Sequence, residues 1–109
     1  MSWHKTISAK ALEKAKGASV KIGDEVVFIA KIGGSVYAVD GVCSHAKCIL
    51  GSLEDQSGIV RCFCHDAEFD LRNGKMTKPP FVAPNAPMDK LGLRTFHARE
   101  ENGFIEVDL

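Results

Sequence analysis

With 109 residues the chain has room for a single domain, 1–109, whose core lies near the lower end of ordinary size. Fourteen Lys and Arg balance fourteen Asp and Glu, so no charged field marks a nucleic-acid or membrane-surface partner. Apolar runs such as 26–30 and 33–39 fall far short of a ~20-residue membrane span, and Met1 to Ser8 lacks the apolar stretch of a secretory signal, so a cytoplasmic protein without a membrane anchor is expected.

In chain order, the alternation Trp3-His4-Lys5-Thr6-Ile7 predicts a short strand with Trp3, Lys5 and Ile7 on one face. Ser8 is placed to cap a helical turn through Ala9 to Lys16, which Gly17 ends. Val20 to Ile22, Glu25 to Ile32 and Ser35 to Val39 are rich in Val and Ile and read as strands. Gly33-Gly34 supplies a hairpin turn between the last two. Leu53 to Val60 is read as a link with a turn near Gln56-Ser57-Gly58, and Phe69-Asp70-Leu71 with Gly74 as a strand and turn. All four prolines fall in Thr77 to Pro87, expected to form an ordered, non-helical loop. Leu91 to Ala98 and Phe104 to Leu109 alternate again across a turn at Glu101-Asn102-Gly103. The expected architecture is all-β: an antiparallel sandwich-like frame, closed by its first and last strands, with a metal-bearing subdomain inserted at about 42–87. His4 and His97 read as structural, and Trp3, Phe28, Tyr37 and Phe104 as core or edge aromatics of the frame.

The insert carries the chemistry. All four cysteines lie between Cys43 and Cys64, together with two of the four histidines. In a reducing compartment that clustering points to metal or redox chemistry more than to a disulfide scaffold. The pattern is Cys43-Ser44-His45, sixteen residues, then Cys62-Phe63-Cys64-His65. Two short loops each offer one thiolate and one imidazole. A [2Fe–2S] centre in which one iron takes two Cys and the other two His needs that division, one ligand per iron from each loop. A structural zinc site also uses two Cys and two His, but its loops usually space ligands by two or more residues so that both reach one ion. Cys43 and His45 are separated by one.

The pattern resembles the Rieske iron–sulfur family, whose boxes read C-x-H-x-G-x-x-L and C-x-x-H-G, and the likeness extends along the whole chain. It implies the Rieske fold, a [2Fe–2S] cluster on Cys43, His45, Cys62 and His65, and a proline loop at Lys78 to Pro84 over the cluster. Lys47 and Asp66 stand where the boxes usually have glycine. Cys48 and Cys64 match the extra pair that is disulfide-bonded in Rieske subunits of cytochrome bc-type complexes; two free thiols are the alternative. Those subunits also carry Ser and Tyr hydroxyls that donate to cluster and ligand sulfurs, where this chain has Ala67 and Phe69. Losing such donors lowers the reduction potential, because they stabilise the more negative reduced state.

No nucleotide motif, catalytic triad or substrate pocket is legible, so the expected function is non-enzymatic. The chain reads as a monomeric one-electron carrier, a Rieske-type ferredoxin between a reductase and an acceptor such as an oxygenase, with His45 and His65 at the exit. Its zero net charge predicts weak steering and transient partners. The alternatives are a Rieske subunit of a larger redox complex and a zinc-stabilised interaction module.

Overall fold

The computed structural model describes residues 2–42, 58–62, 67–79, 85 and 87–109. The strand β1 (Trp3–Ser8) leads into the helix α1 (Ala9–Ala15). The Ser8 side chain accepts a hydrogen bond from the Ala11 N–H, satisfying an otherwise orphaned donor, and Lys16 closes the helix in the left-handed region at φ 58°. β2 (Ala18–Ile22), β3 (Glu25–Ile32) and β4 (Ser35–Asp40) follow as an antiparallel meander, with Gly33 and Gly34 at φ 58° and 87° in the expected hairpin turn. Three short strands, β5 (Ile59–Arg61), β6 (Glu68–Asp70) and β7 (Met76–Lys78), form a sheet of their own. After a 3₁₀ turn at Met88–Lys90, β8 (Thr95–Phe96) joins β4, and β9 (Ala98–Glu101) and β10 (Phe104–Asp108) pair with β1 in the order β1-β10-β9. The first and last strands thus close the frame.

The β2-β3-β4-β8 sheet is buried on both faces, which explains the unbroken apolar run in β3. Val27 and Ile29 point into a core with Leu12, Ile105 and Val107. Phe28 and Ala30 point the other way, into a second core with Val60, Cys62, Ala67, Phe69 and Leu71. Strict alternation along one strand therefore serves two cores at once. The small β5-β6-β7 sheet is held against the frame by that second core.

Four expectations change. Trp3, Lys5 and Ile7 do not share a face: a bulge between Lys5 and Ser8 adds one residue to β1 and re-aims Ile7 into the core. The Thr6 hydroxyl donates to the Ile105 carbonyl at 2.7 Å at this irregularity. The stretch read as one strand over Leu91 to Ala98 is broken, since only Thr95-Phe96 pair with β4 and Ala98 already belongs to the other sheet. Its first half is captured by contacts from distant segments: Leu93 N–H donates to Gly74 at 2.6 Å and Arg94 N–H to Asp40 at 2.9 Å. Ile59–Arg61 is a strand where a link was expected, and Thr77 and Lys78 close β7, so the non-strand part of the proline segment starts at Pro79.

Gly74 sits at φ 75°, and a Cβ there would overlap the Leu93 carbonyl oxygen. Gly74→Ala combines a left-handed backbone cost of about 1–2 kcal/mol with a displacement of packed backbone, so a loss of at least about 2 kcal/mol is expected in chemical denaturation. Gly23, also left-handed, faces open space. Gly23→Asn should change stability by less than about 1 kcal/mol, because Asn tolerates that region.

Candidate metal centre

The second Cys and His motif opens at the end of a defined hairpin. Ile59, Val60 and Arg61 pair with Asp70, Phe69 and Glu68, and in the next register position the Cys62 N–H donates to the Ala67 carbonyl at 2.8 Å. The far end of β6 is fixed as firmly. Asp70 N–H donates to Lys75, Gly74 N–H to Asp70, and the Asp70 carboxylate accepts from the Arg72 N–H at 2.9 Å. Leu71 N–H returns to Gly58 at 2.8 Å, joining the hairpin's two strands below Ile59.

Period-two alternation sends Val60 and Cys62 from one strand, and Ala67 and Phe69 from the other, into the second core; all four are fully buried. Cys62 is a free thiol in that dry layer. A buried sulfur flanked by a methyl and a phenyl ring has few competing water ligands, which suits a soft metal donor.

The first motif follows β4. Gly41 N–H donates to the Val26 carbonyl at 2.7 Å, an approach so close that a Cβ on Gly41 would lie 2.6 Å from the Val26 Cγ1. Immediately before it, Asp40 is tied to the Arg94 backbone through its own N–H and through its carboxylate. Asp40 N–H donates to the Arg94 carbonyl at 3.0 Å, and the Asp40 Oδ2 accepts from the Arg94 N–H at 2.9 Å. The guanidinium then forks onto the same carboxylate, Nε to Oδ2 at 3.0 Å and Nη2 to Oδ1 at 2.7 Å, while Nη2 also reaches Glu25 at 2.8 Å. Hydrogen bonds donated first to Asp40 and then to Glu25 push the Arg94 pKa further above its already high usual value. Its charge is therefore permanent.

Of the sequence-derived site residues, Cys62 is the one placed. Cys43, His45, Cys48, Cys64 and His65 lie outside the described residues, as do Lys47, Asp66 and residues 80–84 of the proline loop. Among the described residues no three His, Cys, Asp or Glu side chains converge in a metal-binding group. His4 is half-buried, with its Nε2 at 3.2 Å from the Ser2 hydroxyl, and His97 is exposed while its carbonyl accepts from the Asp108 N–H. Both fit the structural role expected of them. Trp3 and Phe104 prove 40% and 36% exposed, stacked under Arg99 and Lys5, so they are edge aromatics, whereas Phe28 is core. The Asp40–Arg94 fork and the Gly74–Leu93 bond carried no local sequence signal.

A model of the Rieske [2Fe-2S] domain matches residues 2–97. The chain is 61% identical over 109 residues to sulredoxin of Sulfurisphaera tokodaii, covering all of both chains. It is 36% identical over 89 residues to the ferredoxin component of biphenyl 2,3-dioxygenase of Rhodococcus jostii, covering 80% of this chain and 74% of that one. Among solved structures, the ferredoxin of carbazole 1,9a-dioxygenase from Nocardioides aromaticivorans IC177 shares the fold, with a TM-score of 0.79 at 24% identity over 98% of this chain and 97% of that one. A chain of the reduced complex between oxygenase and ferredoxin in carbazole 1,9a-dioxygenase also shares it, with a TM-score of 0.80 at 15% identity over 96% of this chain. The match spans only 27% of that chain's length.

Proposed function

The chain belongs to the Rieske [2Fe–2S] domain family, and on that premise we propose that Cys43, His45, Cys62 and His65 hold its cluster, on a subdomain of about 42–87. The protein is an electron carrier and not an enzyme. The observation that carries the ligand reading is Cys62: a buried thiol at the last paired position of a rigid hairpin, three residues before His65. When bound, the cluster takes up and releases one electron at a time. The chain's own contribution is to keep Cys62 dry, with Ala67 and Phe69 excluding water from its side of the site, and to hold the two ligand segments on separately anchored strands.

The partners follow from chemistry and kinship: a reductase that delivers single electrons and an acceptor of the oxygenase class, since ferredoxin components of dioxygenases are among its relatives. The neutral net charge favours brief encounters of a monomer. Among the described residues no helix is long and apolar enough to cross a membrane, and a cytoplasmic location is part of this proposal. Electron paramagnetic resonance of the dithionite-reduced protein, with metal analysis, tests the whole reading. A Rieske spectrum with about two irons per chain is expected; a colourless protein holding one zinc would replace it with the interaction module. Elution of the native protein in a large complex would favour the subunit reading over the free carrier.

The same proposal includes a Cys48–Cys64 disulfide, which would tie the two ligand segments together. Alkylation of the denatured holoprotein before reduction should then modify two cysteines, Cys43 and Cys62, and leave the other pair unlabelled. Modification of all four in the intact mass would eliminate the bridge.

A further inference from the structure

The segment 92–94 occupies a junction between the two ligand-bearing arms. Its residues face alternate ways. Leu93 is buried in the core that holds Cys62, Ala67 and Phe69. Its N–H donates to the Gly74 carbonyl, at the turn behind the second arm. Gly92 lies against the same carbonyl, where a Cβ would come within 3.1 Å of the oxygen. Arg94 turns outward and holds Asp40, the last residue of β4, with one backbone–backbone bond, a bond from its N–H to the Asp40 carboxylate, and the guanidinium fork. Asp40 is three residues from Cys43, and between them Gly41 is pinned to Val26. One short stretch of backbone thus grips both arms at their bases.

The fork contributes little to global stability. The Arg94 side chain is 62% exposed, so solvent screens its Coulomb attraction, and exposed pairs of this kind have small net effects. What it supplies is direction. A planar guanidinium on both oxygens of one carboxylate admits a narrow range of approach, unlike a point charge. The Asp40 side chain is only 19% exposed, and Glu25 braces the same Nη2 from β3. The two bonds made by the Arg94 backbone, its carbonyl accepting from the Asp40 N–H and its N–H donating to the Asp40 carboxylate, do not involve the side chain at 94, so the guanidinium can be removed without releasing the strand.

We propose that Arg94 is a positioning residue for the cluster: with Leu93 it sets the spacing of the two ligand-bearing arms by clamping the base of the first to the turn behind the second. This rests on the ligand reading above. Removing the fork leaves the sheets and cores intact and lets the first arm sample a wider range of positions against the second. The ligands then bind in a broader distribution of geometries and release the cluster sooner.

The holoprotein forms of Arg94→Gln, Arg94→Lys and, as a comparison, Arg99→Gln test this. Arg99 makes an ion pair with Glu106 at 2.8 Å on the outer sheet, remote in the fold topology from both arms. In Arg94→Gln, the reduced-state paramagnetic resonance lines should broaden or shift, and loss of visible absorbance on heating should accelerate several-fold. The far-UV unfolding transition should stay near wild type. Arg94→Lys, which keeps charge and loses the fork, should fall between, and Arg99→Gln should match wild type throughout. Wild-type lines and release rate in Arg94→Gln would overturn the proposal, as would equal acceleration in Arg99→Gln. Full restoration by Lys would overturn the fork by assigning the role to charge alone. Should Arg94→Gln fail to fold, Arg94→Lys decides, and wild-type behaviour in both assays refutes the clamp. Failure of the ligand reading shows elsewhere, as an intact Rieske spectrum in His65→Ser.

Discussion

His65→Ser is expected to abolish the Rieske spectrum entirely, and His45→Ser likewise. Serine offers a hard, weakly coordinating hydroxyl where the pattern supplies a neutral imidazole nitrogen, and hydroxyl is a poor substitute for it at iron. The effect should be local. Among the described residues, the two buried cores are built from aliphatic and aromatic side chains with Met76 and the Cys62 thiol, and they carry the packing of the frame. The apoprotein of each variant should therefore retain strand content by far-UV circular dichroism while its visible bands vanish. His4→Ser and His97→Ser supply the opposite expectation, full cluster content, because one histidine sits beside Ser2 at the first strand and the other is exposed at the junction of β8 and β9. Retention of the spectrum in His65→Ser would transfer the ligand role to another residue and undo the C-x-x-H reading of the second motif.

Cys62→Ala extends the same test to the proposed ligand that lies among the described residues. It deletes a buried sulfur from a layer lined by Val60, Ala67 and Phe69, so it removes packing as well as coordination. The histidine variants are the cleaner measurement, and agreement between the two kinds separates coordination from packing.

What was legible in the sequence depended on range. The strand over Glu25–Ile32 and the Gly33-Gly34 turn are local events, one written in β-branched residues and the other in positive φ, and both stand where the pattern put them. The Cys and His spacings on which the ligand proposal rests are equally local, a matter of a few residues each. The double burial of β3 was not legible, because an apolar run does not say how many cores it serves; that depends on the β5-β6-β7 sheet docking against Phe28 and Ala30. Strands of three residues such as β5 and β7 carry too short a pattern to rise above a link or a proline-flanked loop. The Arg94 fork joins residues 54 positions apart, and nothing in Gly92-Leu93-Arg94 read alone distinguishes it from an ordinary alternating strand. Anchors of that kind arise from tertiary approach, and the bulge that turns Ile7 inward belongs with them.

The reduction potential should rise when hydroxyls are restored at Ala67 and Phe69. Both residues are fully buried beside Cys62, in the second core. Ala67→Ser adds one oxygen on the residue whose carbonyl accepts the Cys62 N–H, and Phe69→Tyr adds one at a ring two positions further along the same hairpin strand. In so dry a layer a hydroxyl cannot be satisfied by bulk water, and an unpaired one costs about 1–3 kcal/mol. Its available partners are the neighbouring sulfurs and backbone carbonyls. If it donates to sulfur, it stabilises the reduced state more than the oxidised one, because negative charge grows there on reduction. A one-electron potential moves by about 59 mV for each tenfold change in equilibrium constant, or ~1.4 kcal/mol. A charge-assisted hydrogen bond of ~1.5–3 kcal/mol, reduced by its partial presence in the oxidised state, therefore corresponds to an upward shift of tens of millivolts. Protein-film voltammetry of Ala67→Ser, Phe69→Tyr and the double variant at neutral pH measures it, and denaturation of the same proteins separates the two fates of the hydroxyl. A raised potential with stability held near wild type means the donor has found sulfur. An unchanged potential with stability lowered by about 1–3 kcal/mol means it is buried without a partner, and the low-donor environment of Ala67 and Phe69 would then not be what sets the potential of this site.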